Sequence, residues 1–383
     1  MRIPLGFILF LVLYGLLHFN VYRRVRKAFN PNRSFHILLI LLLLLLLFSP
    51  ILTRMLPEND GSFIINAVTS ISFLWMVSIF FFFSFYILID LYHLILHVSA
   101  RIFNASFLRL SPDRKVTLIT VLAMIIFINL YGWFEAGHIR TEWIILNTDK
   151  LPYTVPSFRI VQISDTHFGQ TNNLRLALKI TRTIDDLEPD LLVSTGDVLD
   201  DGLMDKGKVE QLFRDLNVKC GKFASTGNHD FIAGNIENAA EFMENSGFRL
   251  LRNESVMVTD FLSIAAVDDP RGISLEESPG ISEEKILADL SPNNIRILLK
   301  HRPSIDENSI GKFDLQLSGH THKGQIFPWS LIVSLFHPYM SGLHELGKGS
   351  FIYVNRGAGT WGPPIRFLAP PEITVIEFER RKS

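Results

Sequence analysis

The chain has 383 residues, long enough for more than one domain, and its 37 Lys and Arg against 38 Asp and Glu leave a formal net charge of −1. That balance gives no case for a nucleic-acid partner. Hydrophobic residues make up 48% and the mean hydropathy is +0.25, high for a soluble protein, with the excess in the first third. A single cysteine, Cys220, excludes an intrachain disulfide and any cysteine-based metal site. It reads as an ordinary packed residue and decides no redox compartment.

Four apolar stretches come first: Ile3–Tyr22, His36–Ile51, Phe63–Tyr92 and Val116–Phe134. A helix needs about 20 apolar residues to cross a ~30 Å hydrocarbon layer. The first and fourth fit that length, the second holds an unbroken leucine run from Leu41 to Leu47, and the third is overlong, so that it tilts or continues along the interface. Asp90 and His93 fall near its polar end, where an ionisable side chain reaches water. A cleaved signal peptide is disfavoured: the start has only Arg2, no small-residue cleavage site follows, and three more stretches come after.

Basic residues set the orientation. Arg23, Arg24, Arg26, Lys27 and Arg33 lie between spans one and two, and Arg101, Arg109, Arg114 and Lys115 between three and four. The middle loop has Arg54 against Glu58 and Asp60. Both basic loops belong in the cytoplasm, which puts both chain ends, and the C-terminal domain, outside.

Composition changes near Thr148. Pro152 and Pro156 make Leu151–Ser157 extended and linker-like. Short apolar runs then follow at Arg159–Ile163, Leu191–Ser194, Lys222–Ser225, Leu262–Val267, Ile295–Leu299, Leu315–Leu317 and Phe351–Val354, with helical patterns at Leu174–Leu187 and Lys208–Leu216. Alternating strands and helices imply a layered α/β domain.

Polar signatures follow five of these runs: Asp165-Thr166-His167, Gly196-Asp197 with Asp200, Gly227-Asn228-His229-Asp230, His301, and Gly319-His320-Thr321-His322. Loops beyond the carboxyl ends of strands converge on one crevice in an α/β sheet. The donors are nitrogen and oxygen only, which suits first-row divalent ions. In an extended segment residues two apart point the same way, so Asp165 and His167 grip one ion together, and His320 and His322 serve a shared centre. Asp197, with two carboxylate oxygens, can bridge two ions. Each signature alone is an ordinary turn; the five in order make the case.

This series resembles the calcineurin-like metallophosphoesterase superfamily over roughly residues 157–380. The run Asn355-Arg356-Gly357-Ala358-Gly359-Thr360-Trp361-Gly362-Pro363-Pro364-Ile365-Arg366 further resembles a bacterial, membrane-associated branch with N-terminal spans. The apolar stretches and the prolines give an N-terminal α-helical transmembrane region over 1–147 and a linker over 148–157, and the resemblance implies over 158–383 a four-layer α/β/β/α metallophosphoesterase sandwich with two divalent ions of manganese, iron or zinc. It implies one ion held by Asp165, His167, Asp197 and His322, and the other by Asp197, Asn228, His301 and His320. The two ions would turn water into a nucleophile near neutral pH.

By the same resemblance, His229 is a catalyst rather than a ligand and protonates the leaving oxygen. Asp230 orients that imidazole or forms the turn, and Asp200 supports a ligand or caps its loop. Arg302 and Arg356 are candidate substrate-binding cations, and Arg366 a further loop cation. The expected activity is hydrolysis of a phosphate ester, either a phosphodiester or a lipid- or envelope-linked phosphate, by a protein of a bacterial inner membrane. Its partners are the bilayer and that ester. The alternatives are a nucleotide-sugar lipid pyrophosphatase, which would need a cytosolic site, and a non-catalytic membrane sensor or scaffold, which would have lost a ligand or His229. The apolar segment Phe327–Leu343 reads equally as packed core or as a flap that dips into the bilayer.

Overall fold

The computed structural model describes residues 5–54, 63–169, 172–200, 202–232 and 236–381. The chain divides into two compact units, Met1–Gly132 and Trp133–Ser383. Ile3, and the Glu58 and Asp60 used in reading orientation, lie outside the described residues.

The first unit is built from α1 (Leu5–Phe29), α2 (Arg33–Arg54), α3 (Phe63–Ile102) and α4 (Arg114–Ala136), whose last turn enters the second unit. All four are long and apolar enough to cross a membrane. The overlong stretch is one continuous 40-residue helix; at ~1.5 Å per residue it is far longer than a ~30 Å hydrocarbon layer. Polar side chains on these helices pair across them, because an apolar surrounding offers no water to replace a missing partner. Trp75 Nε1 of α3 donates to His18 Nε2 of α1 at 2.9 Å, and the Ser49 and Ser72 hydroxyls of α2 and α3 lie 2.9 Å apart. Asn129 of α4 donates to Ser78 Oγ of α3 at 3.1 Å. Asp90, half-exposed, forms an ion pair with Arg24 of α1.

The second unit holds two six-stranded sheets. Its strands are β1 (Arg140–Thr148), β2 (Ser157–Ile163), β3 (Leu191–Ser194), β4 (Lys222–Ala224), β5 (Arg249–Leu250), β6 (Glu254–Thr259), β7 (Leu262–Ala266), β8 (Ile295–Leu299), β9 (Leu315–Ser318), β10 (Gly342–Gly347), β11 (Ser350–Val354) and β12 (Glu372–Arg380). One sheet runs β1-β12-β2-β3-β4-β5 and the other β10-β11-β9-β8-β7-β6. The helices are α5 (Leu174–Leu187), α6 (Lys206–Arg214), α7 (Ile236–Asn245), α8 (Pro270–Ser274), α9 (Glu283–Leu287) and α10 (Trp329–Val333).

Alternation along the strands builds the layers. Phe158 and Ile160 of β2, Leu191 and Val193 of β3, Ile264 of β7, Ile297 of β8 and Ile376 of β12 fill the space between the sheets. Val161 and Ile163 of β2 and Leu192 of β3 face the other way, onto Ile180 and Ile184 of α5 and Phe213 of α6. On the far sheet Ala265 and Leu298 turn outward onto Ile286 and Leu287 of α9. The result is the α/β/β/α sandwich.

β1 was not foreseen. It precedes the boundary expected near residue 147 and pairs in parallel with β12 from Arg140 to Thr148. Of the expected linker, 148–157, Thr148 closes β1 and Ser157 opens β2, and the residues between them are irregular. Within the sheets β2, β3 and β4 run parallel, as do β8 and β9, so their carboxyl ends deliver five loops to one edge of the sandwich.

Candidate metal centre

The loop after β2 does not stay extended. Asp165 and His167 have φ of 50° and 45°, and Asp197, His320 and His322 have 52°, 71° and 47°. These are left-handed conformations that cost an L-residue ~1 kcal/mol or more each and persist only where the surroundings over-determine them. The extended pairing expected for Asp165 and His167 is therefore replaced by two sharp bends, each held by backbone bonds. Asp165 N donates to Gly196 O at 3.0 Å, His167 N to Asp197 O at 3.1 Å, and Gly319 N to His301 O at 2.9 Å. At Gly319 a Cβ would lie 2.0 Å from Ser164 Oγ and 2.2 Å from Asp165 Oδ2, so only glycine lets this loop approach.

The bends bring the side chains together. His322 Nε2 lies 3.2 Å from His167 Nε2 and 3.3 Å from Asp165 Oδ1. His301 Nε2 lies 3.1 Å from Asp197 Oδ2 and 3.2 Å from His320 Nδ1. Asp197 Oδ2 stands between the two nests, 3.9 Å from His167 Nε2. Ligand atoms of Asp165, His167 and His322, and again of Asp197, His301 and His320, fall within 4.8 Å of one another.

Two observations show that the cradle fits divalent cations. Asn228 Oδ1 is buried with no hydrogen-bond partner, although such an acceptor costs ~1–3 kcal/mol to leave unsatisfied. Second, ring nitrogens face one another at contact distance, where a cation would sit among their lone pairs. His301 donates its other ring nitrogen, Nδ1, to Thr195 O at 2.7 Å, which turns Nε2 inward.

Electrostatics agree. Burial, then the charge of His301, push His320 down to about 2, and burial and Arg366 hold His322 well below its usual value, so both rings are neutral donors. Burial also opposes charge on His167 and His301, but Asp200 outweighs it at His167, raised to about 9, and Asp197 outweighs it at His301, raised to about 10.

The remaining predicted residues sort by what they touch. Asp200 lies 3.1 Å from His167 Nδ1 and 3.0 Å from His229 Nδ1, so it, not Asp230, orients the His229 imidazole. Asp230 is buried and its carboxylate accepts three backbone N–H groups, from Gly227 at 2.7 Å, Asp197 at 3.0 Å and Val198 at 3.1 Å. It locks two loops together and does not reach the ring. Arg356 is consumed by ion pairs to Glu142 at 2.5 Å and to Glu372, so it cannot turn to a phosphate as expected. Arg366 is fully buried: its guanidinium donates to the carbonyls of Arg356, Gly357 and Gly359 and lies 3.0 Å from His322 Nδ1. Arg302 is about a third exposed and forked onto Asp269 at 2.6 and 3.0 Å.

Two neighbours had not been singled out. Trp361 packs edge-on to His229 at 5.7 Å between ring centroids, and His337 lies 5.3 Å from His320. Both fall in segments the sequence marked, 355–366 and 327–343, but no motif gave either residue a role at the metal centre.

The calcineurin-like phosphoesterase family matches residues 158–324. A metallophosphoesterase of Aquifex aeolicus is 35% identical over 252 residues, 66% of this chain and 96% of its own length. A metallophosphoesterase of Bacillus subtilis is 34% identical over 260 residues, 64% of this chain and 88% of its own. A Danio rerio protein named transmembrane protein with metallophosphoesterase domain is 29% identical over 270 residues, 67% of this chain and 62% of its own. The chain belongs to the calcineurin-like metallophosphoesterase family and is a hydrolase acting on phosphoester bonds.

Proposed function

We propose that the chain is a membrane-tethered phosphoesterase that uses two divalent cations, of manganese, iron or zinc, against a phosphodiester or a lipid- or envelope-linked phosphate. The observation that carries the binuclear reading is the placement of Asp197 Oδ2, 3.1 Å from His301 in one nest and 3.9 Å from His167 in the other. Asp165, His167, Asp197 and His322 would hold one cation, and Asp197, Asn228, His301 and His320 the second. When bound, such a pair supplies Lewis acidity to phosphoryl oxygens and lowers the pKa of water.

His229 supplies the proton for the leaving oxygen. Burial works against a charge on its ring, but the bond to Asp200 and the charge of Asp197 outweigh burial and raise its pKa. With Nδ1 turned to Asp200, Nε2 carries the transferable proton. Trp361 walls this side of the ring. Arg302, fixed in place by Asp269, contributes a cation for a substrate phosphate near His320.

The tether is supported by four helices long and apolar enough to cross a membrane. The Lys and Arg residues clustered around the α1–α2 and α3–α4 junctions favour a catalytic domain on the outer face of a bacterial inner membrane. The test is hydrolysis of bis-p-nitrophenyl phosphate and p-nitrophenyl phosphate by the full chain across a panel of metals, with Asp197→Ala as control. Metal-dependent turnover abolished by Asp197→Ala is expected; turnover that survives the substitution would sink the shared-ligand reading.

A further inference from the structure

The segment that begins just beyond the metal centre is turned inside out. No side chain of α10 is buried. Phe327, Trp329, Leu331, Ile332, Leu335 and Phe336 all stand in the open, Leu335 at 79% and Phe336 at 75% exposure. From Gly324 to His344 there is no Asp, Glu, Lys or Arg. A contiguous uncharged apolar surface of this kind on a folded domain marks an interaction site. The packed-core alternative is thereby removed.

The flap is held outward by a built frame. Gln325 Nε2 donates to the carbonyls of Trp361 at 3.0 Å and Pro363 at 3.1 Å. Phe327 N donates to Phe367 O at 3.1 Å and Phe367 N to Gln325 O at 3.0 Å. The next residue, Leu368, is itself exposed, and its N–H donates to Glu135 Oε2 at 3.0 Å. Glu135 is buried in the last turn of α4, beside exposed Trp133 and Phe134. The end of the apolar helix and the base of the flap are thus wired through two adjacent residues, Phe367 and Leu368.

We infer that residues 326–336 dock into the lipid bilayer at the point where α4 leaves it. The inference rests on the membrane-tethered reading above. Lipid is the occupant the chemistry favours, because the base of the patch is hydrogen-bonded through Phe367 and Leu368 to the aromatic end of a helix apolar enough to span, and tryptophan and phenylalanine anchor well at a bilayer surface. His337, at the end of the flap, is in ring contact with His320, so a phosphate ester carried on a lipid headgroup reaches the metal centre along this edge.

The test uses the full chain in phosphatidylcholine nanodiscs. In a Cys220→Ser background, Leu335→Cys, Phe336→Cys and, as control, Met257→Cys on β6 (70% exposed) each carry an environment-sensitive nitrobenzoxadiazole label. Labels at 335 and 336 are expected to emit to the blue of the control and to be quenched several-fold more by lipids with nitroxide-bearing acyl chains. Quenching no greater than at 257 overturns the inference. So does a blue shift without lipid quenching that vanishes at one chain per disc, which would assign the flap to a second copy. Hydrolysis of bis-p-nitrophenyl phosphate by the same samples reads the catalytic proposal separately: quenching without turnover keeps the docking and refutes the hydrolysis mechanism, and turnover without quenching does the reverse.

Discussion

The Asp200 carboxylate lies 3.0 Å from Nδ1 of His229, and that contact fixes which nitrogen of the ring faces the reaction. Asp200→Asn removes a charge that opposes the desolvation of the ring, so the His229 pKa falls. A general acid works only while protonated, and its rate is lost as pH rises through its pKa. The alkaline limb of kcat therefore moves to lower pH in Asp200→Asn, with kcat down ~10–100-fold. An unmoved limb would show that another group donates the proton.

His229→Ala separates chemistry from metal binding. It is expected to lower kcat by ~10²–10⁴-fold while cations remain bound in wild-type amount. Loss of metal, read by inductively coupled plasma mass spectrometry, would instead make His229 a ligand.

Cation binding should release protons. The folded apo-protein holds His167 and His301 protonated, with pKa values of about 9 and about 10, and each must be neutral to ligate. Near neutral pH about two protons leave when both cations bind, one from each ring. The count falls to zero above those pKa values, and affinity weakens as pH drops below them. Calorimetric titration in buffers of different ionisation enthalpy measures it, and a count of zero at neutral pH contradicts the assignment.

Arg356 is expected to behave as a structural cation. Arg356→Ala leaves Glu372, 1% exposed at its side chain, as an unpaired buried carboxylate, a loss of ~3–5 kcal/mol. A thermal melt should show a large drop in Tm, whereas KM for a soluble ester among the surviving fold stays near wild type. A raised KM with unchanged Tm would return Arg356 to the substrate.

At Gly319, alanine is expected to lower cation affinity by ~10–100-fold, because its Cβ would meet the Asp165 carboxylate at 2.2 Å. Equilibrium dialysis with Mn²⁺ checks this; wild-type affinity would mean that the β9 loop is free to shift.

Much of the protein could be read from its sequence because the signals were local. The apolar stretches marked four helices, and the β-rich runs at 159–163, 191–194, 295–299 and 315–317 fall on β2, β3, β8 and β9. Each ligand-type residue sat directly after such a run, so chain order alone placed Asp165, Asp197, His301 and His320 at strand ends. What depended on partners distant in sequence was not legible there. β1 gains its place from β12, over two hundred residues away, since an exposed strand is stabilised by the neighbour it pairs with. The charges of Arg356 and Arg366 are spent on Glu372 and on main-chain carbonyls. Asp200 supports the ligand-type His167 as expected but also takes the His229 ring, which leaves Asp230 the turn-forming one of its two expected roles. The left-handed bends at Asp165, His167, Asp197, His320 and His322 were likewise invisible, because a strained φ is held by hydrogen bonds from other loops. Residue types and strand order determined the chemistry on offer. Only the tertiary structure decided which side chain each charge would serve, because a buried charge must find a partner within a few ångströms and that partner comes from elsewhere in the chain.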